Sequence, residues 1–311
     1  MRNLAATVGA FLWLGAVAVA ADVPTPQDIR DSLQLGNTVK AARQAQQALQ
    51  TAASADAAGL RYLLLKAHVL DLQPQGGKLF KQTVGKEPDG MARYQERLDS
   101  MEAGLRGEGE SLLPLLATLL DGGDGLDRLL VLGLLEEMVA TADWNAASAE
   151  ARGSVESAAG RAALRAASDC IGQETTRAGP RDPDGDPRQD DYFQSIYSLL
   201  SGLAFLSRAD PAAAAGAAAA ALECRGAAGW IVHDPQQLER LGPDLADPLR
   251  RMLENALRDE VKVDALLLLG RFGRCDDLEI VLKIQDEAQG VVARAADSAW
   301  RRMQHRLDCA G

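Results

Sequence analysis

Along most of this chain apolar side chains recur three and four residues apart, and runs of strict alternation are absent. That period is the signature of amphipathic helix, not of strand. The clearest stretch occurs twice. Residues 112–133 read LLPLLATLLDGGDGLDRLLVLG, and residues 249–270 read LRRMLENALRDEVKVDALLLLG. They align without a gap and share eight of 22 positions: Leu112/Leu249, Leu116/Leu253, Leu120/Leu257, Asp127/Asp264, Leu129/Leu266, Leu130/Leu267, Leu132/Leu269 and Gly133/Gly270. Each copy reads as an amphipathic helix, a short polar turn and a second leucine-rich helix, with Gly133 or Gly270 as its stop. A unit that recurs and cannot bury its apolar face alone points to stacked helical pairs.

The same reading predicts helices over 38–52 and 57–72, turning at Ser54–Asp56, and then a loop from Gln73 to Gly90 with a short turn at Lys78–Gln82. A charged helix follows over about 91–105, the repeat-like pair over 110–142, and a helix over about 146–170. Residues 172–191, GQETTRAGPRDPDGDPRQDD, combine Pro, Gly and six acids without an apolar period. They read as an exposed linker between an N-terminal helical region (21–171) and a second region (192–311). YFQSIYSLLSGLAFLS opens that region as a helix. Asp210-Pro211, Asp234-Pro235 and Asp247-Pro248 each mark a helix start: Asp caps unpaired N–H groups, and Pro at the first position loses an N–H that would be unpaired anyway.

The first twenty residues form a different pattern. Arg2 precedes the uncharged run LAATVGAFLWLGAVAVA, which ends in Ala18-Val19-Ala20. This is the layout of an export signal cleaved after Ala20, so the expected location is the bacterial periplasm or the exterior, with no stable membrane insertion after cleavage. The alanine run at 212–221 is too short and too weakly apolar to span a bilayer.

Composition sharpens the class. Alanine and leucine are abundant and aromatics make up 4% of the chain, which fits an all-α protein. Thirty-three basic against 44 acidic residues leave a net charge of −11. That excludes the basic stripe of a nucleic-acid binder and favours a basic protein partner.

Residues 248–303 resemble the HEAT-like repeat family, including the short version found in phycobilisome lyases. PLRRMLENAL is followed by the turn Arg258-Asp259-Glu260 and by VKVDALLLLGRFG. DDLEIVLKIQ is followed by Asp286-Glu287 and by VVARAADSAWRRM. The resemblance implies antiparallel helical hairpins stacked as an α-solenoid, at least in the C-terminal half. It implies protein binding through a concave face and carries over no catalytic residue.

Candidate chemistry is sparse. Four cysteines remain after signal cleavage: Cys170, Cys224, Cys275 and Cys309. In an exported chain they suggest two disulfides, with three connectivities open. Cys275 and Cys309 sit at the two ends of one helical hairpin, so their pairing is preferred, which leaves Cys170–Cys224 across the linker. His305 and Cys309 share a helix face and with Cys275 would offer three zinc ligands, Asp276 or Asp308 being the fourth; a disulfide is the better use of those thiols. Asp182, Asp184, Asp186, Asp190 and Asp191 start like a calcium loop, but Gly185 is misplaced and Phe193 stands where the bidentate Glu belongs. His68 and His233 lie in no ligand or triad spacing, and no nucleophile elbow, P-loop or dinucleotide fingerprint is present. Arg294, Arg301, Arg302 and Arg306 make the last helix basic, which complements its dipole. No metal, cofactor or catalytic residue is therefore expected. The expected function is non-enzymatic protein binding, in concrete form an immunity or inhibitor protein that occludes a basic toxin or hydrolase. An envelope scaffold and a helical-cavity enzyme or small-ligand binder are the alternatives.

Overall fold

In a computed structural model, residues 23–72, 77–84, 89–176, 191–233, 236–239 and 241–307 are described, and among them helices joined by short turns account for all regular structure. The first group is α1 (Pro26–Gln34), α2 (Thr38–Leu49), α3 (Ser54–Leu70), α4 (Lys78–Val84) and α5 (Gly90–Arg106). The second is α6 (Leu113–Gly122), α7 (Gly125–Met138), α8 (Ala142–Ala146), α9 (Ala149–Thr176) and α10 (Asp191–Ala209). The third is α11 (Pro211–Leu222), α12 (Arg225–His233), α13 (Gln236–Glu239), α14 (Ala246–Asn255), α15 (Asp259–Phe272), α16 (Asp277–Glu287) and α17 (Gly290–Arg306). No described helix is long and apolar enough to cross a membrane. The export signal, the Asp182–Asp190 acids, Asp234-Pro235 and Cys309 lie outside the described residues.

Helix starts follow local chemistry. Thr25 caps α1 with Pro26 at the first position, and the Asp28 carboxylate in turn accepts from the Thr25 N–H. Asp124 and Asp127 form the same reciprocal box at the start of α7, and Asp210 accepts from the Ala213 N–H ahead of Pro211. These carboxylates and hydroxyls occupy N–H groups that the helix itself leaves unpaired. Asp247-Pro248 behaves differently from the sequence expectation. A 3-10 turn over Gly242–Leu245 runs into α14, so the helix already starts at Ala246. Asp247 instead pairs with Arg250 and Arg274.

Helix α3 is buried on two sides. Leu60, Leu63 and Ala67 face a small cluster with Ile29, Ala41 and Ala45 of α1 and α2, while Tyr62, Leu65 and Val69 face the main core. A helix sandwiched in this way has no wide polar face. The main core is one buried cluster running from Ala58 to Met303, so the helices on either side of residues 177–190 share it. At its centre α9 presents Ala158, Ala159, Ala162, Ala163, Ala166 and Ala167, all buried. Their small side chains let α6, α10 and α11 approach closely.

The two aligned stretches are both helical pairs, α6–α7 and α14–α15, but they are not superimposable. The turn of the second pair falls earlier, at Ala256–Arg258, and leaves Leu257 97% exposed, whereas its counterpart Leu120 is fully buried. The glycines do not stop their helices, contrary to the sequence expectation. Gly133 lies inside α7, which continues to Met138, and α15 ends at Phe272 with Gly273 as its cap. A single interior Gly weakens a helix by only ~1 kcal/mol, which the burial of the neighbouring leucines overrides.

The two positions have opposite surroundings. A Cβ on Gly270 would lie 2.9 Å from the Ala299 Cα of α17, whereas one on Gly133 would meet nothing within 4 Å. Gly270→Ala is therefore expected to lose ~1–3 kcal/mol through overpacking against backbone. Gly133→Ala is expected to gain up to ~1 kcal/mol from helix propensity. Urea unfolding of both variants checks this; equal signs would refute it.

Candidate functional site

Among the described residues, those that the sequence singled out do not converge on one site. His68 is buried in α3, its Nδ1 2.8 Å from the Tyr94 hydroxyl, which also lies 3.1 Å from the His68 carbonyl oxygen. Burial, helped by the nearby Arg97, lowers its pKa to about 4, against the opposing pull of Asp71. A histidine whose folded pKa lies below its unfolded value of 6.5 stabilises the fold fully above pH 6.5 and loses that contribution as pH falls towards 4. At most ~3 kcal/mol is at stake. His68→Leu should flatten the pH dependence of urea unfolding between pH 6.5 and 4; an unchanged slope would assign that dependence to other groups.

His233 closes α12, far in sequence from His305 on α17. His305 lines a shallow basic depression of about 510 Å³ with Gly270, Arg271, Arg301, Arg302 and Arg306. Arg301 pairs with Asp297, Arg271 with Glu239, and Arg306 donates to the Gly273 carbonyl. Arg294 is exposed on the same helix. Cys170 and Cys224 form a disulfide, with Cα atoms 5.8 Å apart. Glu174 lies beside it, one helical turn after Cys170, and its Oε1 accepts from the Tyr192 hydroxyl at 2.8 Å and the Gly226 N–H at 3.1 Å. These three residues have the composition of a metal site, but both thiols are spent in the bridge. Cys275, at the start of the α16–α17 hairpin, is also disulfide-bonded.

Two larger concavities lie in the first half. The wider, about 930 Å³, opens where the first turns of α2, α7 and α10 meet α4. Its polar side chains largely satisfy one another. Thr38 donates to Asp71 at 2.7 Å, the Phe80 N–H donates to the same carboxylate at 3.0 Å, and Asp124 accepts from Lys66 at 2.8 Å. Lys66 also donates to Asp127 at 2.7 Å, and the Tyr62 hydroxyl reaches the same oxygen at 2.6 Å. Burial would raise the Asp124 carboxyl, but Lys66 and the Asp127 N–H hold it below the usual carboxylate range. Burial and the two carboxylates push the Tyr62 hydroxyl well above its ordinary value. This network locks α3 to α7.

The second concavity uses the outer side of that locked pair. It is a groove of about 540 Å³ between the end of α3, α5, α7 and α10. Val69, Leu129, Leu130 and Leu134 form its apolar floor around Gly133, with Tyr197 and Ser201 along the α10 side. Among the described residues every charged one lining it is a glutamate: Glu102 from α5, Glu136 and Glu137 from α7. Arg106 pairs with Glu137 from outside the lining. Tyr197 is 39% exposed, and its ring stacks on Phe193 one turn earlier. In the sequence Leu129 and Leu130 stand as repeat residues and none of the three glutamates is singled out; the available signal was the spacing of the two on α7, seven and eight residues after Leu129.

Fold and site together define an all-α protein carrying an apolar-floored, acidic groove. Comparison with family models, curated proteins and solved structures finds no match for this chain.

Proposed function

We propose that this protein is a non-catalytic protein-binding module that takes a basic partner. The observation that carries this reading is the groove over Gly133, whose leucine floor offers apolar burial and whose described charged lining residues are all glutamates, Glu137 being paired with Arg106 from outside the lining. Apolar burial supplies affinity, and a single-sign rim steers and selects a partner of opposite charge. The chain's net charge of −11 adds long-range attraction for the same class of partner. The helical pairs α14–α15 and α16–α17 are read as HEAT-like hairpins, and the N-terminal twenty residues as an export signal. The concrete form is an inhibitor or immunity protein that covers a basic toxin or hydrolase outside the cytoplasm.

The test is affinity capture of the full chain, tagged at its C-terminus and lightly cross-linked in its native host. The parent and a Glu102→Lys/Glu136→Lys variant are compared by mass spectrometry. One dominant basic protein on the parent, depleted at least tenfold on the variant and inhibited by the purified parent, supports the reading. Capture of no protein, or only of acidic ones, overturns it.

A further inference from the structure

The internal repeat indicates what fits the groove. In the second helical pair, the stripe Leu266, Gly270, Gly273 runs along the end of α15, and α17 lies across it. A Cβ on Gly270 would come within 2.9 Å of the Ala299 Cα, and one on Gly273 within 2.9 Å of the Met303 Cε. The helix crossing there has a small residue at its closest approach and a long side chain one turn later.

In the gap-free alignment the matching stripe on α7 is Leu129, Gly133, Glu136. Among the described residues no helix lies across Gly133 as α17 lies across Gly270; α10 packs on α7 beside this stripe, against Gly125 and Leu132. Leu266 is fully buried under its neighbours while Leu129 is only partly buried, and the space above Gly133 is open to 4 Å. Val131 and Leu268, on the opposite side of the two helices, are both buried. The same helix thus has its inner face packed in both copies, while the aligned glycine lies under a crossing helix in only one. The chemistry at the far end of the stripe also differs. Where α15 has Gly273 beneath Met303, α7 has Glu136, with Glu102 and Glu137 close by.

We infer that the α7 groove seats an amphipathic helix of a partner protein, with Ala or Gly at the crossing over Gly133 and Lys or Arg one turn later, against Glu136. This inference rests on the protein-binding reading and names the part of the partner that docks. The expected occupant resembles α17 in its small residue and cationic flanks, and departs from it by a cation in place of Met303. Small residues at a crossing let backbones approach, and helix-in-groove recognition is read through anchors three, four and seven residues apart.

The probe is a synthetic peptide of residues 290–306 carrying Met303→Lys, titrated into the full-length protein and followed by calorimetry. Saturable one-to-one binding is expected, weakened at least tenfold by Gly133→Leu and weakened by Glu136→Lys. A peptide with its arginines changed to glutamate should not bind. Far-UV circular dichroism and urea unfolding confirm that Gly133→Leu is folded, and Gly133→Ala gives a second variant for which folding is not in question. No binding to the parent protein, or equal binding to Gly133→Leu, overturns the inference. Equal binding would place the peptide on α15, in competition with α17. Self-association of the parent that Gly133→Leu abolishes would make the occupant a second copy of this chain, which also overturns it. A native basic partner still captured by Gly133→Leu would leave the protein-binding reading standing while sinking this one; no captured partner sinks the reading itself.

Discussion

Lys66→Met is expected to destabilise the protein by ~3–5 kcal/mol, the usual cost of stripping one partner from a buried ion pair. Lys66 and Asp127 are both almost fully buried, and the ammonium serves two carboxylates at 2.7 and 2.8 Å. Without it Asp127 keeps only the Tyr62 hydroxyl and the Asp124 N–H. A methionine fills most of the volume, so the loss reports charge and not a cavity. The Arg61–Glu108 pair is the contrast. Arg61 is half exposed, and its removal should cost under ~1 kcal/mol. The pH dependence has a definite sign. Asp124 titrates below its ordinary 3.8 in the folded chain, so its contribution is present at neutral pH and is lost as pH falls through and below that range. Parent and Lys66→Met should therefore converge in acid. Urea unfolding at pH 7 and pH 3 tests both points. A loss under ~1 kcal/mol at pH 7 would show that the network is not a lock.

The second large effect belongs to the Cys170–Cys224 bridge. Cys170→Ala/Cys224→Ala is expected to lose about 4 kcal/mol, the loop-closure value for a bridge of this span. The two positions are 54 residues apart, and the bridge joins α9 to the start of α12 around the 177–190 segment. Restricting so long a loop in the unfolded chain is what stabilises the fold. Glu174 supports the same joint by accepting from the Gly226 N–H and the Tyr192 hydroxyl. Urea unfolding with and without a dithiol reductant provides the check. The reduced parent should be at least as unstable as the double variant, because Cys275 is bridged as well. A double variant within ~1 kcal/mol of the oxidised parent would refute the entropic account.

Much of the fold was legible in the chain. Helical periodicity, three-residue caps and Asp-Pro starts are local signals, and α1, α7 and α11 begin where their own side chains bind their own N–H groups. The misplaced features have a common origin. Gly133 and Gly270 read as stops because glycine is a poor helix former, yet what continues each helix is packing by residues distant in sequence. Leu257 read as core because it aligns with Leu120, but a turn shifted by a few residues rotates it into solvent.

The candidate site was less legible. Leu129, Leu130 and Gly133 stood in the sequence as repeat residues, with nothing to separate a covered stripe from an open one. Glu102 lies on α5, far from Glu136 in sequence, and Val69 and Tyr197 come from α3 and α10. The Tyr62–Lys66–Asp124–Asp127 lock holds α3 to α7, α10 packs on α7 and α5 on α3, and together these contacts bring the four helices to one groove.

Helical content, most helix starts and the strong negative charge are readable from the chain alone, because propensity, capping and composition act within a few residues or over the whole chain. Which of the two aligned glycines lies under a crossing helix and which lines an open groove was settled only on folding. That depends on whether another segment of the chain folds back over it, and no local pattern encodes the position of so distant a neighbour.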